Sequence, residues 1–265
     1  MKKLKNLSNI LRYRIIKISS EAKVAHVASC LSCIDIIIFI YEKILKKNNN
    51  SKLFYDRFIL SKGHAAASIY VMLNHKGIIS DKLLSTFNKK NSILEEHPSI
   101  KIPGIETSTG ALGHGLPVLC GMAYASKLRK DKRKHFIVMG DGECNEGTVW
   151  EAALFASSKK LSNLFVFIDF NKWQATGRNN HIINLDSLEK KFSSFGFFSV
   201  SIDGHNFKDI SDNYKKSLKI NKPKVFICST IKGRGISFME DDNNWHYKIP
   251  NEIEVNAAKK ELNIK

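Results

Sequence analysis

Five short apolar runs divide the chain, and each has the length and composition of a buried strand. They lie at residues 58–60, 136–139, 164–170, 197–202 and 224–229. The segments between them predict helices at residues 4–18, 33–46, 64–75, 114–129, 146–158 and about 206–220. Strands that alternate with helices build βαβ units and a parallel sheet. The pattern predicts an α/β fold with a doubly wound, mainly parallel sheet and helices on both faces, in one domain over residues 1–265.

Polar groups follow two of these runs directly. Gly140-Asp141-Gly142 follows the run at 136–139, and Asn171 follows the run at 164–170. Because the carboxyl ends of parallel strands share one sheet edge, Asp141 and Asn171 are expected at the same edge, where open α/β sheets bind ligands. Their oxygens suit a hard cation such as Mg²⁺, and the helix beginning near Glu146 favours an anion. A metal-bridged diphosphate is the economical interpretation, although Gly-Asp-Gly alone is also a common turn.

The thirty-residue separation of Asp141 and Asn171 resembles the thiamine diphosphate motif of transketolases, and the match extends through residues 146–153 and 174–177. In that family an aspartate, an asparagine and a main-chain carbonyl two residues later hold Mg²⁺, or another divalent cation such as Ca²⁺ or Mn²⁺, which binds the diphosphate. The resemblance implies the metal ligands Asp141, Asn171 and the Trp173 carbonyl. It implies cofactor contacts from His64, Gly110, Leu112, Gly140, Asp141, Gly142, Glu146, Asn171 and His246.

Four of the nine histidines lie where transketolases carry active-site histidines, namely His26, His64, His97 and His246. The resemblance implies that they are catalytic in ketol transfer from a ketose phosphate to an aldose phosphate, because imidazole can move protons on sugar hydroxyls near neutral pH. The sequence departs from the family at several loop positions, which are Ala25, Ala28, Ser29, Ala111 and His114. Taken singly, a histidine at a strand end is more often structural, and the basic turn after residue 229 is equally compatible with a solvated loop.

The resemblance covers nearly the whole chain but corresponds to the first of three regions of a full-length transketolase. The region that binds the aminopyrimidine ring, with the glutamate that protonates it, has no counterpart in residues 1–265. We therefore expect the amino-terminal subunit of a split transketolase, which works with a carboxy-terminal transketolase subunit in an α₂β₂ assembly by family resemblance. An exposed apolar rim near residues 110–116 is the expected interface.

Composition adds few constraints. The net charge of +17 is spread along the chain without a basic motif interleaved with aromatic residues, so it predicts attraction of sugar phosphates rather than nucleic-acid binding. The basic amino terminus lacks a signal-peptide core, and the apolar stretch at 36–41 is too short to span a membrane. An odd number of cysteines, five, favours reduced thiols and the cytoplasm. Cys30 and Cys33 have redox spacing, but packing in an apolar helix is favoured.

Several other functions compete with this interpretation. A 2-oxo acid dehydrogenase subunit would share the Gly-Asp-Gly to Asn motif but is not expected to carry the four histidines. A dinucleotide-binding Rossmann domain would need a Gly-x-Gly-x-x-Gly turn after its first strand, which is missing from the sequence. A degenerate, non-catalytic subunit is a further alternative that the sequence does not exclude. The sequence also does not decide between the pentose phosphate pathway and a specialised sugar pathway.

Overall fold

The computed structural model describes residues 1–48, 51–185 and 187–264, and within these ranges five strands form one sheet. The strands are β1 (Arg57–Leu60), β2 (His135–Gly140), β3 (Leu164–Phe170), β4 (Phe198–Asp203) and β5 (Lys224–Ser229). Their order across the sheet is β1-β2-β3-β5-β4, and every neighbouring pair is parallel. The predicted parallel α/β sheet is confirmed.

Helices cover both faces of the sheet. They are α1 (Lys2–Ala22), α2 (Val27–Phe39), α3 (Ala66–His75), α4 (Asp81–Leu84), α5 (Gly115–Leu128), α6 (Gly147–Ser158), α7 (Asn179–Ile182), α8 (Leu188–Ser194), α9 (Phe207–Ser217) and α10 (Glu252–Glu261). A π-helical segment, Ile40–Ile44, extends α2, and short 3₁₀ turns occupy Gly63–Ala65, Gly142–Asn145 and Asn243–His246. In the part of the chain described here, no helix is both long and apolar enough to cross a membrane.

Alternate residues along each strand enter different cores, which explains why the runs are apolar throughout. One face contributes Phe136, Phe165, Phe167 and Phe226 to a core shared with α1, α2, α3 and α9. The other face contributes residues such as Ile137, Val166 and Val225 to a core shared with α5, α6 and α8. Burial of both faces is the physical basis of the doubly wound arrangement. The prediction of one domain over 1–265 includes residues 49, 50, 186 and 265, which lie outside the described ranges, and it stays a prediction.

The structure differs from the sequence prediction mainly at helix ends and in four additional helices. Helix α2 begins at Val27 rather than near residue 33, because His26 takes a left-handed conformation (φ 66°) and starts the helix directly after it. Helices α4, α7, α8 and α10 were not predicted, since they are short or carry few apolar residues. Cys30 and Cys33 are buried in α2, where burial raises the pKa of both thiols, to about 12 and about 11. They pack and are not poised for redox chemistry.

Candidate active site at the carboxyl ends of the strands

A cavity of about 300 Å³ opens where β1, β2, β3 and β5 end. Its lining includes eight of the residues implied by the resemblance, which are His64, Leu112, Gly140, Asp141, Gly142, Glu146, Asn171 and His246, together with Trp173. Chain topology explains this convergence, because the carboxyl ends of parallel strands meet at one edge. Gly110 is not among the lining residues. It lies outside the cavity with a φ of 153°, and a Cβ added there would approach the His97 ring to 3.0 Å.

The predicted metal ligands lie side by side. The Asp141 carboxylate accepts hydrogen bonds from the backbone N–H groups of Gly142 (2.9 Å) and Lys172 (2.6 Å), while the Asn171 side-chain oxygen accepts one from the Trp173 N–H (2.9 Å). Burial, and then the charge of Asp169, raises the pKa of Asp141 to about 7. Among the described residues no group of three His, Cys, Asp or Glu side chains could hold a metal. A cation bound here would use amide and carbonyl oxygens beside Asp141, and this oxygen set suits Mg²⁺.

Three of the four predicted histidines form a cluster beside the cavity. The ring of His26 lies 5.5 Å from that of His64 and 4.9 Å from that of His246, and the His64 and His246 centroids are 5.8 Å apart. Burial lowers the pKa of His26 to about 4 and that of His246 to about 3, with neighbouring cationic groups adding to the effect, and the pKa of His64 is also well below its ordinary value. His97 is exposed and lies against the Gly110 turn. The clustered rings are neutral near pH 7.

Two buried lysines in the same cavity were not identified from the sequence. Lys62 forms an ion pair with Asp169, whose charge outweighs the effect of burial and raises the pKa of Lys62. Lys232 instead contacts neutral groups, the Asn243 side-chain oxygen (2.6 Å) and His246 Nδ1 (3.0 Å), and burial lowers its pKa to about 8. The solvated-loop interpretation of this basic turn is wrong, since Lys232 is 1% exposed. The sequence contained one signal for both lysines, because Lys232 follows β5 and Lys62 follows β1, and residues after parallel strands lie at the ligand-binding edge.

A buried glutamate that the sequence analysis also missed joins the strand ends to the glycine-rich loop. Glu143 accepts hydrogen bonds from the Ser61 hydroxyl and from the backbone N–H groups of Gly113 (2.9 Å) and Gly140 (3.3 Å). Burial raises its pKa. In the same cavity the Gln174 side-chain nitrogen and the Asn145 side-chain oxygen are buried and find no hydrogen-bond partner among the described residues. Such groups provide unused binding capacity for a polar ligand.

The glycine-rich segment carries only part of the apolar rim that the sequence predicts. Residues 95–114, all of them described, form no helix or strand, as expected for this loop. Leu112 is exposed and contributes to the cavity wall, whereas Leu116 is buried in α5 because its side chain joins the core. The expected exposed rim therefore does not extend to residue 116.

Known proteins share this architecture. The family described as "Transketolase, thiamine diphosphate binding domain" matches residues 4–265. This chain belongs to the transketolase family. A protein of Phocaeicola vulgatus, named as one of the subunits of an apulose-4-phosphate transketolase, is 38% identical over 95% of this chain and 90% of that protein. The protein named "6-deoxy-6-sulfo-D-fructose transketolase subunit SqwG" from a Clostridium species is 34% identical over 89% of this chain and 88% of that protein.

A solved transketolase structure agrees with the assignment. The transketolase of Campylobacter jejuni superimposes with a TM-score of 0.93 at 28% identity, covering 99% of this chain and 43% of that chain. Membership of the transketolase family confirms the predicted fold, the class of thiamine diphosphate-dependent transferases and thiamine diphosphate as the cofactor of this domain. This transketolase chain thus has nearly the length of the relatives named as subunits but less than half that of the Campylobacter transketolase.

Proposed function

We propose that the chain is the thiamine diphosphate- and Mg²⁺-binding subunit of a two-subunit transketolase, which transfers a two-carbon ketol unit from a ketose phosphate to an aldose phosphate. The observation that carries the proposal is the convergence of Asp141 and Asn171 with neutral His64 and His246 in one cavity. A metal-anchored diphosphate and neutral imidazoles, which can accept or donate a proton, would then lie within reach of one ligand.

The residues of the cavity fit the metal and the diphosphate. Asp141 is buried with no cation paired to it in the described structure, so its raised pKa is a sign of a charge that a metal would compensate. Asp141, the Asn171 side-chain oxygen and the Trp173 carbonyl would hold the metal. Lys232 faces the same cavity with neutral partners and would bind a diphosphate oxygen.

The histidines would move protons at the sugar. When bound, thiamine diphosphate supplies the electron sink needed to cleave a carbon–carbon bond. His246 accepts a hydrogen bond at Nδ1 from charged Lys232, which leaves the proton on Nε2, where it can be donated to a substrate oxygen. His26 is held close by its own backbone N–H, which donates to the His246 carbonyl at 3.0 Å. We place His26, His64 and His246 in proton transfer, and His97 at the sugar end of the site, where it is exposed.

The partner and the assembly are proposed from the names of the matched relatives. The matched relatives of similar length are named as transketolase subunits, and the chain covers 43% of the Campylobacter enzyme. A second polypeptide would bring the pyrimidine-binding region and its glutamate, in an α₂β₂ assembly. Exposed Leu112 at the cavity wall would lie at that interface.

The sugars are proposed at the level of class. The relatives' names contain different sugars, apulose 4-phosphate and 6-deoxy-6-sulfo-D-fructose, which supports a specialised sugar pathway as an alternative to the pentose phosphate pathway. The net charge of +17 supports an anionic sugar in either pathway. We place this reaction in the cytoplasm.

The deciding experiment mixes the purified chain with a purified pyrimidine-domain subunit, Mg²⁺ and thiamine diphosphate. We expect no ketol transfer from the chain alone and robust transfer from the mixture, assayed with a panel of phosphorylated and sulfonated ketoses. The partner alone is the matched control. Transfer by the isolated chain would contradict the two-subunit proposal. Cofactor binding without transfer on any sugar of the panel would support the degenerate, non-catalytic alternative instead.

A further inference from the structure

We infer that His205 is a positioning residue for cofactor binding, because it fixes the turn at residues 230–235 so that Lys232 reaches the diphosphate end of the cavity. The inference rests on the proposed function of that cavity. His205 itself lies outside it, after the end of β4, and does not line it.

Both ring nitrogens of His205 are used. Nε2 accepts a hydrogen bond from the backbone N–H of Ile231 (2.9 Å), and Nδ1 lies 2.8 Å from the Asp35 carboxylate. A backbone N–H can only donate, so Nε2 carries no proton and the ring proton must lie on Nδ1, directed at Asp35. The Asp35 contact therefore fixes both the tautomer and the orientation of the ring that holds Ile231.

The same carboxylate also holds the other end of the turn. Asp35 accepts hydrogen bonds from the Arg12 guanidinium (2.5 Å) and the Ser8 hydroxyl (2.6 Å), and Arg12 Nε donates to the Arg234 carbonyl (2.8 Å). Arg12 and Asp35 are both nearly inaccessible to solvent. The turn is thus attached at Ile231 through His205 and at Arg234 through Arg12, with Asp35 joining the two attachments.

Lys232 lies between these two attachment points. The Gly233 N–H donates to the Ala28 carbonyl (3.0 Å), and the Lys232 carbonyl accepts from the Asp241 N–H (2.8 Å), so the backbone beside Lys232 is hydrogen-bonded to two other segments. Gly233 has a φ of 80°, and a Cβ there would lie 2.1 Å from the Met239 carbonyl oxygen, which excludes other residues. With its backbone held, the Lys232 side chain crosses to the cavity and meets His246 at 3.0 Å.

The test compares two amide replacements in the assembled enzyme. In His205→Gln the amide can reach the position of Nε2 and keep the bond to Ile231, whereas in His205→Asn it reaches only the position of Nδ1. We expect His205→Asn to weaken thiamine diphosphate binding in the presence of Mg²⁺ by roughly 10–100-fold, as loss of a supporting partner does at other sites, while His205→Gln stays near wild type. Titration calorimetry measures both, and exposed His181→Asn is the matched control.

A double-mutant cycle separates positioning from a general structural role. If His205 acts through Lys232, His205→Asn should cause almost no further loss of affinity in a Lys232→Ala background. An equal loss in both backgrounds would overturn the inference.

Hydrogen exchange gives a readout that needs no cofactor. The Ile231 amide should lose protection in His205→Asn and keep it in His205→Gln, and equal protection in the two variants would also overturn the inference. A wild-type assembly that binds no thiamine diphosphate contradicts the proposed function instead, so the two failures are distinguishable.

Discussion

Asp141 and Asp169 lie near the ends of adjacent strands, yet their surroundings differ. Asp169 forms an ion pair with Lys62 and accepts hydrogen bonds from Ser32 and Thr230, so its pKa is lowered although burial alone would raise it. Asp141 has backbone N–H donors but no cationic partner of its own among the described residues, and its pKa rises to about 7. The charge of Asp169 is compensated by Lys62, and this carboxylate has a structural role. The charge of Asp141 has no such partner, so this carboxylate is available to a metal.

We predict that Asp141→Ala abolishes Mg²⁺-dependent binding of thiamine diphosphate. Loss of a supporting group around a metal already costs roughly 10–100-fold in affinity, and loss of a charged ligand should exceed that. Folding should survive, because the change removes a buried carboxylate with a raised pKa rather than core volume. Calorimetry and a denaturation curve measure the two effects. Asp212→Ala, on the solvent side of α9, is the control, and unchanged affinity in Asp141→Ala would remove the metal assignment.

The histidine cluster gives a second prediction at the residue scale. His64→Ala and His246→Ala should each lower kcat by roughly 100-fold or more, the usual contribution of a general acid or base, while cofactor affinity changes much less. Steady-state kinetics and cofactor titrations on the assembled enzyme give the comparison. His181→Ala changes an exposed histidine and should leave kcat intact. An equal loss of turnover in that variant would leave the assigned roles without support.

At the scale of elements, the site depends on loops packed closely on strand ends. A Cβ at Gly63, just after β1, would lie 2.8 Å from the backbone of Thr109 and Gly110. The Thr109 hydroxyl also donates to the Leu60 carbonyl at 2.8 Å, so the glycine-rich loop lies directly on the end of the strand. Gly110 in turn packs against His97, so the position of the loop determines the position of the His97 ring.

We therefore predict opposite effects from two glycine-to-alanine changes. Gly63→Ala should destabilise the chain by about 1–3 kcal/mol through overpacking and should also lower turnover. Gly121→Ala, in the middle of α5, meets nothing within 4 Å and should stabilise the isolated chain by about 0.5–1 kcal/mol, since alanine loses less backbone entropy in a helix. Urea denaturation of both variants is the test. A stable, fully active Gly63→Ala enzyme would show that the loop is not held as described.

At the scale of the whole molecule, buried neutral histidines make stability depend on pH. His135 is held against the Ser126 hydroxyl (3.0 Å), and burial lowers its pKa from 6.5 to about 4. His135 binds a proton below about pH 6.5 in the unfolded chain but only below about pH 4 in the folded chain. The contribution of His135 to the free energy of unfolding therefore falls as the pH falls through this window, by up to about 1.4 kcal/mol per pH unit, whereas Asp141, whose pKa is raised to about 7, contributes in the opposite direction.

We predict that His135→Gln, which can keep the contact with Ser126, flattens the fall in stability between pH 6.5 and 4. Urea midpoints measured across this range give the slope. The exposed His181→Gln variant should retain the wild-type slope. If wild type and His135→Gln lost stability in parallel, His135 would be charged in the folded state and its burial would not explain the dependence.

The strands and the polar residues at their ends were predictable from the pattern of apolar residues in the sequence. A buried parallel strand must be apolar on both faces, so its run is visible in the sequence, and the first polar residue after it marks the sheet edge. That logic is sufficient to place Asp141, Asn171 and His64 in one site. The short helices α7 and α8 were missed because their residues owe their conformation to packing rather than to a strong periodic pattern.

The combination of polar residues that forms the site depends on how distant segments pack against each other. Lys62, Lys232, Glu143 and Asp169 are ordinary charged residues in the sequence, and their burial and pairing depend on segments far apart in the chain, as for Lys62 and Asp169. The connection from Arg12 through Asp35 to His205 likewise joins three distant elements. Local sequence encodes strand periodicity and turn chemistry, but desolvation and ion pairing arise from the packing of the whole chain, and they set the protonation states on which this site depends.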